Sequence, residues 1–314
     1  MAPNIKHDRP NELITEQENS SSPATPTDNE RHPMALRKST QTDASVRQRM
    51  TERRRCLQSY IPESLKRIVI PYHGDFCVSP VFHPDVVCQL MAEGFLPIAT
   101  EQLLLPKLHQ HRCVIQLPNG LHISKSARKK SKKYRPSFNQ AFDQVVDGCR
   151  RQHGVNCWLI PQLVEAFSAI HRTHPKGMPT HVLDDVVERC CPVRLYSMEL
   201  WDDLDNLVAG ELGYTVGSIY TSLTGFTVQD SAGSVQLLTL GRLLSRCGFE
   251  LWDLGMDMAY KQTLGSKLMP REEFVDYVNR VRCRDAHLML PEFGRESKPN
   301  CRDIIDGSGP IPFS

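Results

Sequence analysis

The chain has 314 residues, 40% of them hydrophobic, and a formal net charge of +2, which is the composition of a globular protein with room for a large core and two structured domains. No apolar run approaches the roughly 18–20 residues of a membrane span, and the first ten residues carry no apolar stretch of the kind that opens a secretory signal. The 11 cysteines form no CxxC pair and no regular spacing, which predicts free thiols in a reducing, cytoplasmic setting and excludes a disulfide scaffold.

Residues 1–57 are polar and rich in Ser, Thr, Asn, Glu and Arg. Such a stretch cannot bury enough apolar area to offset chain entropy and is predicted to be a disordered tail. Order is expected from residue 58. The run RIVI (67–70) reads as a short buried strand, and HPDVVCQLMAEGF (83–95) as a helix with Pro84 near its start and Gly94 after its end. FLPIA (95–99) and CVIQL (113–117) are further strands, and together these pieces predict a small α/β domain over 58–123. His109, His111 and Cys113 alternate as metal ligands could, but they also read as a strand edge running into CVIQL. No metal is predicted.

Lys125–Arg135, KSARKKSKKYR, has seven basic residues in eleven. A run of this kind is either a solvated face or a phosphate-binding strip, for which RNA is the natural polyanion. The following SFNQAFDQVVDGC reads as a helix turning Phe138, Ala141, Phe142, Val145, Val146 and Cys149 inward. CWLIPQLVEAFSAIH is a second helix with Leu163, Val164, Phe167 and Ile170 inward. Trp158 stands at its start, where an indole fills a core or stacks on a base. Residues 172–193, with three prolines, Gly177 and an acidic segment, read as an inserted loop, and VRLYSMELW (193–201) as a strand.

The most strongly patterned stretch is 207–255. LVAGELG and VGSIYTSLTGF are apolar runs broken by Gly213 and Gly217, as in a hairpin. SVQLLTLGRLL then has helical spacing between a candidate cap at Asp230 or Ser231 and a stop at Gly248. The last run, FELWDLG, places Asp253 at the end of an apolar strand, where a lone carboxylate must be paired, hydrogen-bonded or used. A helix beginning at Pro270 with Phe274, Tyr277, Val278 and Val281 inward follows, and 286–314, rich in Pro and Gly, reads as a loose tail.

Six of these stretches, in order, resemble one family, the leucyl/phenylalanyl-tRNA–protein transferases. LHISKSARK (121–129) is similar to its His-x-Ser-Arg-Ser-Leu-Arg-Lys signature, and FNQAFDQVVDGC to its Asp-x-Ala-Phe-x-x-Val helix. CWLIPQLVEAFSAIH and YSMELWDDLDNLVAGELG are similar to its Thr-Trp-Ile and Trp…Leu-Val-Gly-Gly stretches. FELWDLG and LGSKLMPREEF resemble its Leu-Ile-Asp-Cys-Gln and Leu-Gly-Ala…Arg-x-x-Phe elements. The resemblance implies an α+β chain: a small N-terminal domain, then a GNAT-like acyltransferase domain over 124–285. It implies transfer of Leu or Phe from aminoacyl-tRNA to a protein N-terminal Arg or Lys, by a monomer without cofactor. By the same resemblance Asp253 is the catalytic carboxylate and Trp158 stacks on the terminal adenine. Arg112, Lys125, Arg128, Lys129, Lys132 and Lys133 meet tRNA, and Glu199, Glu211, Tyr220 and Phe226 line the pocket.

The sequence departs from the family at several points. Its Trp-Trp-Ser-Pro-Asp-Pro-Arg segment is replaced by Leu104–Arg112, of which Arg112 alone is kept. Its Gly-Glu-Ser-Met-Phe-Ser motif falls on Ser222–Thr227, without the carboxylate; Gly255 stands where it has Gln, and Glu211 at an apolar pocket position. A weakly catalytic relative that binds tRNA or basic N-termini is therefore a second reading. An acyl-CoA-dependent N-acetyltransferase is a third. It is disfavoured because the loop QDSAGS (229–234) has one misplaced glycine and an aspartate where a diphosphate would lie. For Asp253 the alternative role is structural: a buried carboxylate capping backbone or paired with Arg or Lys.

Overall fold

The structure is a computed structural model that describes residues 74–184, 187–291 and 299–311. The tail predicted over 1–57 and the strand at 67–70 lie outside the described residues. The first helix, α1 (Pro84–Ala92), begins where its sequence says it should. Pro84 occupies the first turn, where its missing N–H costs nothing, and the His83 ring accepts from the Asp85 N–H. Gly94, at φ +86°, ends it. β1 (Leu96–Thr100) and β2 (Leu103–Lys107) pair as an antiparallel ribbon. β3 (His111–Gln116), expected with them in a small domain, lies instead inside the large sheet, between Leu251–Asp253 and Lys267–Pro270.

The basic run forms a short helix, α2 (Lys125–Lys130), capped by Ser124 and continued by a 3-10 turn at Ser131–Lys133. Phe138 does not start the next helix as its spacing suggested. It closes β4 (Arg135–Phe138), and Asn139, at φ +58°, breaks the run before α3 (Phe142–His153) begins. α4 (Pro161–His171) follows. The predicted inserted loop contains a two-stranded hairpin, β5 (His181–Asp184) and β6 (Val187–Cys190), closed at its base by a bridge between Met178 and Val193.

The patterned stretch folds as its sequence predicts: β8 (Leu207–Val216) after β7 (Val193–Trp201), then β9 (Ile219–Thr227), α5 (Ala232–Arg246) and β10 (Leu251–Asp253). Gly213 does not break β8. A Cβ there would lie 2.1 Å from the Tyr220 hydroxyl, so the glycine makes room for that side chain. The chain ends with α6 (Ala259–Gln262), β11 (Lys267–Pro270), α7 (Arg271–Val281) and α8 (Cys301–Asp306). The expected loose C-terminal tail is corrected by α8. Asn300 caps it, and Cys301, Ile304 and Ile305 are buried in the core beside α5, an apolar spacing hidden among prolines and glycines.

β11, β3, β10, β9, β8, β7 and β4 form one seven-stranded sheet in that order. Its junctions are antiparallel except β9–β10, which is parallel and pairs only Ile219–Leu251, Tyr220–Trp252 and Thr221–Asp253. β9 continues to Thr227, so beyond Thr221 it is no longer paired with β10. α1, α3, α4 and α7 cover one face, with Val114, Leu195, Leu212 and Leu251 beneath them. α5 and α8 cover the other, over Ile115, Met198, Tyr220 and Trp252. The fold is a three-layer α+β arrangement, and all described residues belong to one compact unit. No helix among the described residues is long and apolar enough to cross a membrane.

Gly217 opens the two-residue turn between β8 and β9 at φ +55°, and a Cβ there would lie 2.0 Å from the Val281 carbonyl oxygen. Gly217→Ala is expected to cost about 2–4 kcal/mol, from the left-handed backbone and the clash together. Denaturant titration measures this, and a loss below ~0.5 kcal/mol would show that α7 yields to the methyl group.

Candidate active site

Asp253 ends β10 fully buried. One carboxylate oxygen accepts from the Gly255 N–H at 2.8 Å and the other from the Thr221 hydroxyl at 3.1 Å. The second oxygen also faces Arg112 Nη1 at 3.5 Å. Arg112 has no exposed surface either. It donates to the Gly94 carbonyl and lies over the Phe274 ring, 4.4 Å from its centroid. A buried pair of this kind offsets its desolvation only while both charges are present, since removing one leaves the other uncompensated at a cost of about 3–5 kcal/mol. The geometry around Asp253 therefore matches the structural alternative: a carboxylate that caps backbone and pairs with arginine. Arg112, expected against tRNA, is turned inward to it.

Glu211 lies on the opposite face of the sheet, under α5. Its Oε1 accepts from the hydroxyls of Tyr220 and Ser222, each at 3.0 Å, and its Oε2 from Gln236 Nε2 at 3.1 Å. The Ser222 oxygen accepts in turn from Trp252 Nε1 at 3.0 Å. Burial pushes the Glu211 carboxyl up to about 7, against the opposing pull of the three hydrogen bonds and the Lys261 charge. Burial and the neighbouring Glu211 carboxylate hold the Tyr220 phenol well above its usual range, so it stays a donor. Beside this cluster β9 bulges. Leu212 pairs with Thr224 and Gly213 with Ser222, so Leu223 is the extra residue. Bulges bend a strand and re-aim its side chains, and they recur beside active sites.

The remaining expected site residues are not gathered around Asp253. Glu199 lies on its face but three strands across, roughly 14 Å by strand spacing, and further along the sheet as well, level with Phe226 of β9 where Asp253 is level with Thr221. It accepts from the Ser137 and Ser197 hydroxyls at 2.6 and 2.5 Å and from the Ala141 N–H at 3.2 Å, pinning β4 and the start of α3. Phe226 packs against Gly148 and Gly210, where Cβ atoms would meet its ring at 2.5 and 2.8 Å. Trp158 is half-buried and edge-on to Phe167, 6.3 Å between centroids.

On the basic strip Arg128 pairs with Asp306 at 2.6 Å, Lys130 with Asp230 at 3.6 Å, and Arg135 with Asp205. Lys125, Lys129, Lys132 and Lys133 are exposed and make no ion pair with a described residue. Sequence reasoning missed Ser222, Gln236 and Lys261. Lys261 is 7% exposed and donates to the Leu254 and Met256 carbonyls, each at 2.7 Å, bracing the turn after Asp253. No local pattern marks any of the three.

Comparison with known proteins places the chain among the transferases. The family model for leucyl/phenylalanyl-tRNA protein transferase matches residues 114–279, more than half of the chain, and the chain belongs to that family. The match runs from β3 into α7 and takes in the Glu211 cluster and Asp253 with Thr221 and Gly255, while Arg112 lies just before it. The leucyl/phenylalanyl-tRNA–protein transferase of Azotobacter vinelandii is 29% identical over 181 residues, 56% of this chain and 69% of that protein. Those of Pseudomonas syringae and Escherichia coli are each 29% identical, over 53% and 52% of this chain and 66% and 63% of their own lengths. The chain thus spans about two thirds of the relatives it matches.

Because the Glu211 carboxyl holds its proton more tightly folded than unfolded, its contribution to stability is fully present below the ordinary value of 4.5 and lost as pH rises through about 7. Glu211→Gln removes that loss. The wild type is expected to weaken against the variant between pH 5 and 8 by on the order of 3 kcal/mol, read from urea melts at the two pH values. Parallel melts would mean that the carboxyl titrates as if in water.

Proposed function

We propose that the chain transfers leucine or phenylalanine from aminoacyl-tRNA to the N-terminal amine of proteins that begin with Arg or Lys, acting as a monomer. The observation that carries this reading is the family match over residues 114–279, which spans nearly all of the seven-stranded sheet. The chemistry asks little of the protein. An α-amine attacks an ester that is already activated, so positioning and removal of one proton supply most of the catalysis. A GNAT-like acyltransferase fold is the finer reading of the domain, supported by a mixed sheet with one parallel junction crossed by a long helix. The four exposed lysines offer a track for acceptor-stem phosphates, and Trp158, just ahead of α4, a surface for the terminal adenine. Asp253 is assigned a positioning role, holding the end of β10 and the turn at Gly255 against Arg112 and Thr221.

A second reading, tRNA binding with little turnover, is favoured by Leu223 and Gly255, which stand where the family has a carboxylate and an amide. Labelled Leu-tRNA or Phe-tRNA, incubated with the protein and an Arg-started peptide, separates the two. Label in the peptide is expected, whereas tRNA that binds while the peptide stays unlabelled would establish the second reading. In the same assay Asp253→Asn is expected to melt at lower temperature and to transfer in proportion to its folded fraction. A variant that stays folded and binds aminoacyl-tRNA, yet transfers ~100-fold more slowly, would make Asp253 the proton acceptor instead.

Replacing Lys125, Lys129 and Lys132 together by Ala is expected to weaken tRNA binding and to flatten the slope of log affinity against log salt by roughly 2–3. Filter binding at two salt concentrations measures this, and an unchanged slope would place the phosphates elsewhere.

A further inference from the structure

Three carboxylates are buried in the sheet, and they differ in what their hydrogen bonds lead to. Asp253 leads to Thr221 and the Gly255 N–H, and Glu199 to Ser137, Ser197 and the Ala141 N–H, all of them buried. Glu211 leads to Tyr220 and Gln236, which are buried, and to Ser222, which is half-exposed. Ser222 is the first residue of β9 beyond its last pair with β10 and adjoins the bulge at Leu223. It therefore stands where the two parallel strands part. We propose that Ser222 takes the proton from the attacking α-amine and passes its own to Glu211, which acts through it as the positioning carboxylate. The inference rests on the transfer activity proposed above.

The direction of each hydrogen bond supports this relay. An indole N–H can only donate, so Trp252 fixes the Ser222 oxygen as its acceptor and leaves the Ser222 proton to point at Glu211. The serine oxygen keeps a second lone pair for an incoming N–H. Tyr220 and Gln236 also donate to Glu211, so its surroundings suit the ionised, proton-accepting form, while burial keeps it close to half-protonated near neutrality. The titratable groups that interact with it are Tyr220 from β9 and Tyr260 and Lys261 from α6, with Cys149 from α3 acting from the other face of the sheet. Of these, Lys261 favours the carboxylate. In the step, the amine nitrogen bonds to the ester carbonyl carbon and the bond from that carbon to the ribose oxygen breaks. The amine proton moves to Ser222 as the serine proton moves to Glu211, and the reverse transfer delivers a proton to the departing ribose oxygen. The products are an amide and a free ribose hydroxyl.

Single-turnover transfer from labelled Leu-tRNA to an Arg-started peptide between pH 5.5 and 9 tests the relay. The peptide α-amine titrates at about 7.7–8.0. The wild type needs both it and Glu211 deprotonated. Its log rate should climb with a slope of about two below pH 7 and about one above, until the amine is free. At saturating aminoacyl-tRNA, Glu211→Gln should show a slope of about one until the amine is free and a rate ~100-fold lower at pH 8. Ser222→Ala should behave alike, and Ser222→Thr, which restores the hydroxyl, should recover most of the rate. If Glu211→Gln folds poorly, the Ser222 pair decides. Variants that keep the two-step profile and a rate within about threefold of wild type would overturn the relay and leave the transfer activity standing. A wild type that binds aminoacyl-tRNA but transfers nothing would overturn both.

Discussion

The parallel contact between β9 and β10 sets the geometry of everything around it. Parallel neighbours cannot be joined by a turn, so the chain must leave the sheet and return, and it does so through α5. That crossover covers one face and delivers Gln236 to Glu211. The contact lasts only three residue pairs because β10 stops at Asp253, whose side chain bends back to the Gly255 N–H. Past that point β9 runs on paired with β8 alone. The end of the parallel contact is thus a by-product of strand lengths.

Burying three carboxylates in one sheet is costly, and each is compensated by different means. Asp253 has a guanidinium, Glu199 has two hydroxyls and the first free N–H of a helix, and Glu211 has neutral donors. A carboxylate facing a buried guanidinium is fixed in place by its partner. One held by neutral donors against strong desolvation can change protonation without dismantling its surroundings. Of the carboxylates with neutral donors, Glu211 lies on the α5 face and is the one whose hydrogen bonds lead to a half-exposed residue, Ser222.

Much of the sheet was legible in the sequence because its strands are long and its turns carry the expected residues. The stretch 207–255 combines alternation, a glycine turn and helical spacing, and each signal points to the same structure. Shorter elements escaped. β2 is LLLPK, too uniform to show a period, and β5–β6 sits in a proline-rich segment that reads as loop. α8 spans less than two turns. Asp253 and Glu211 stood out as lone carboxylates among apolar neighbours, but that they lie on opposite faces follows from strand order and from the bulge at Leu223, neither of which has a local signature. Ser222 and Gln236 look like ordinary polar residues until the fold brings them to a buried acid.

The hairpin β5–β6 is sealed at its base. The Met178 N–H donates to the Val193 carbonyl at 2.8 Å and the Val193 N–H returns the bond at 3.0 Å, so the excursion closes where β7 begins. Everything between those two residues is a closed excursion, topologically a bead on the strand. Its length can grow or shrink over evolutionary time without shifting the register of β7 against β8. Two tethers limit this freedom: Val182 is buried in the core shared with α1, and Cys191 is buried with its thiol on the Arg282 carbonyl at 2.9 Å, so a shortened excursion would leave an apolar patch on that helix to be covered.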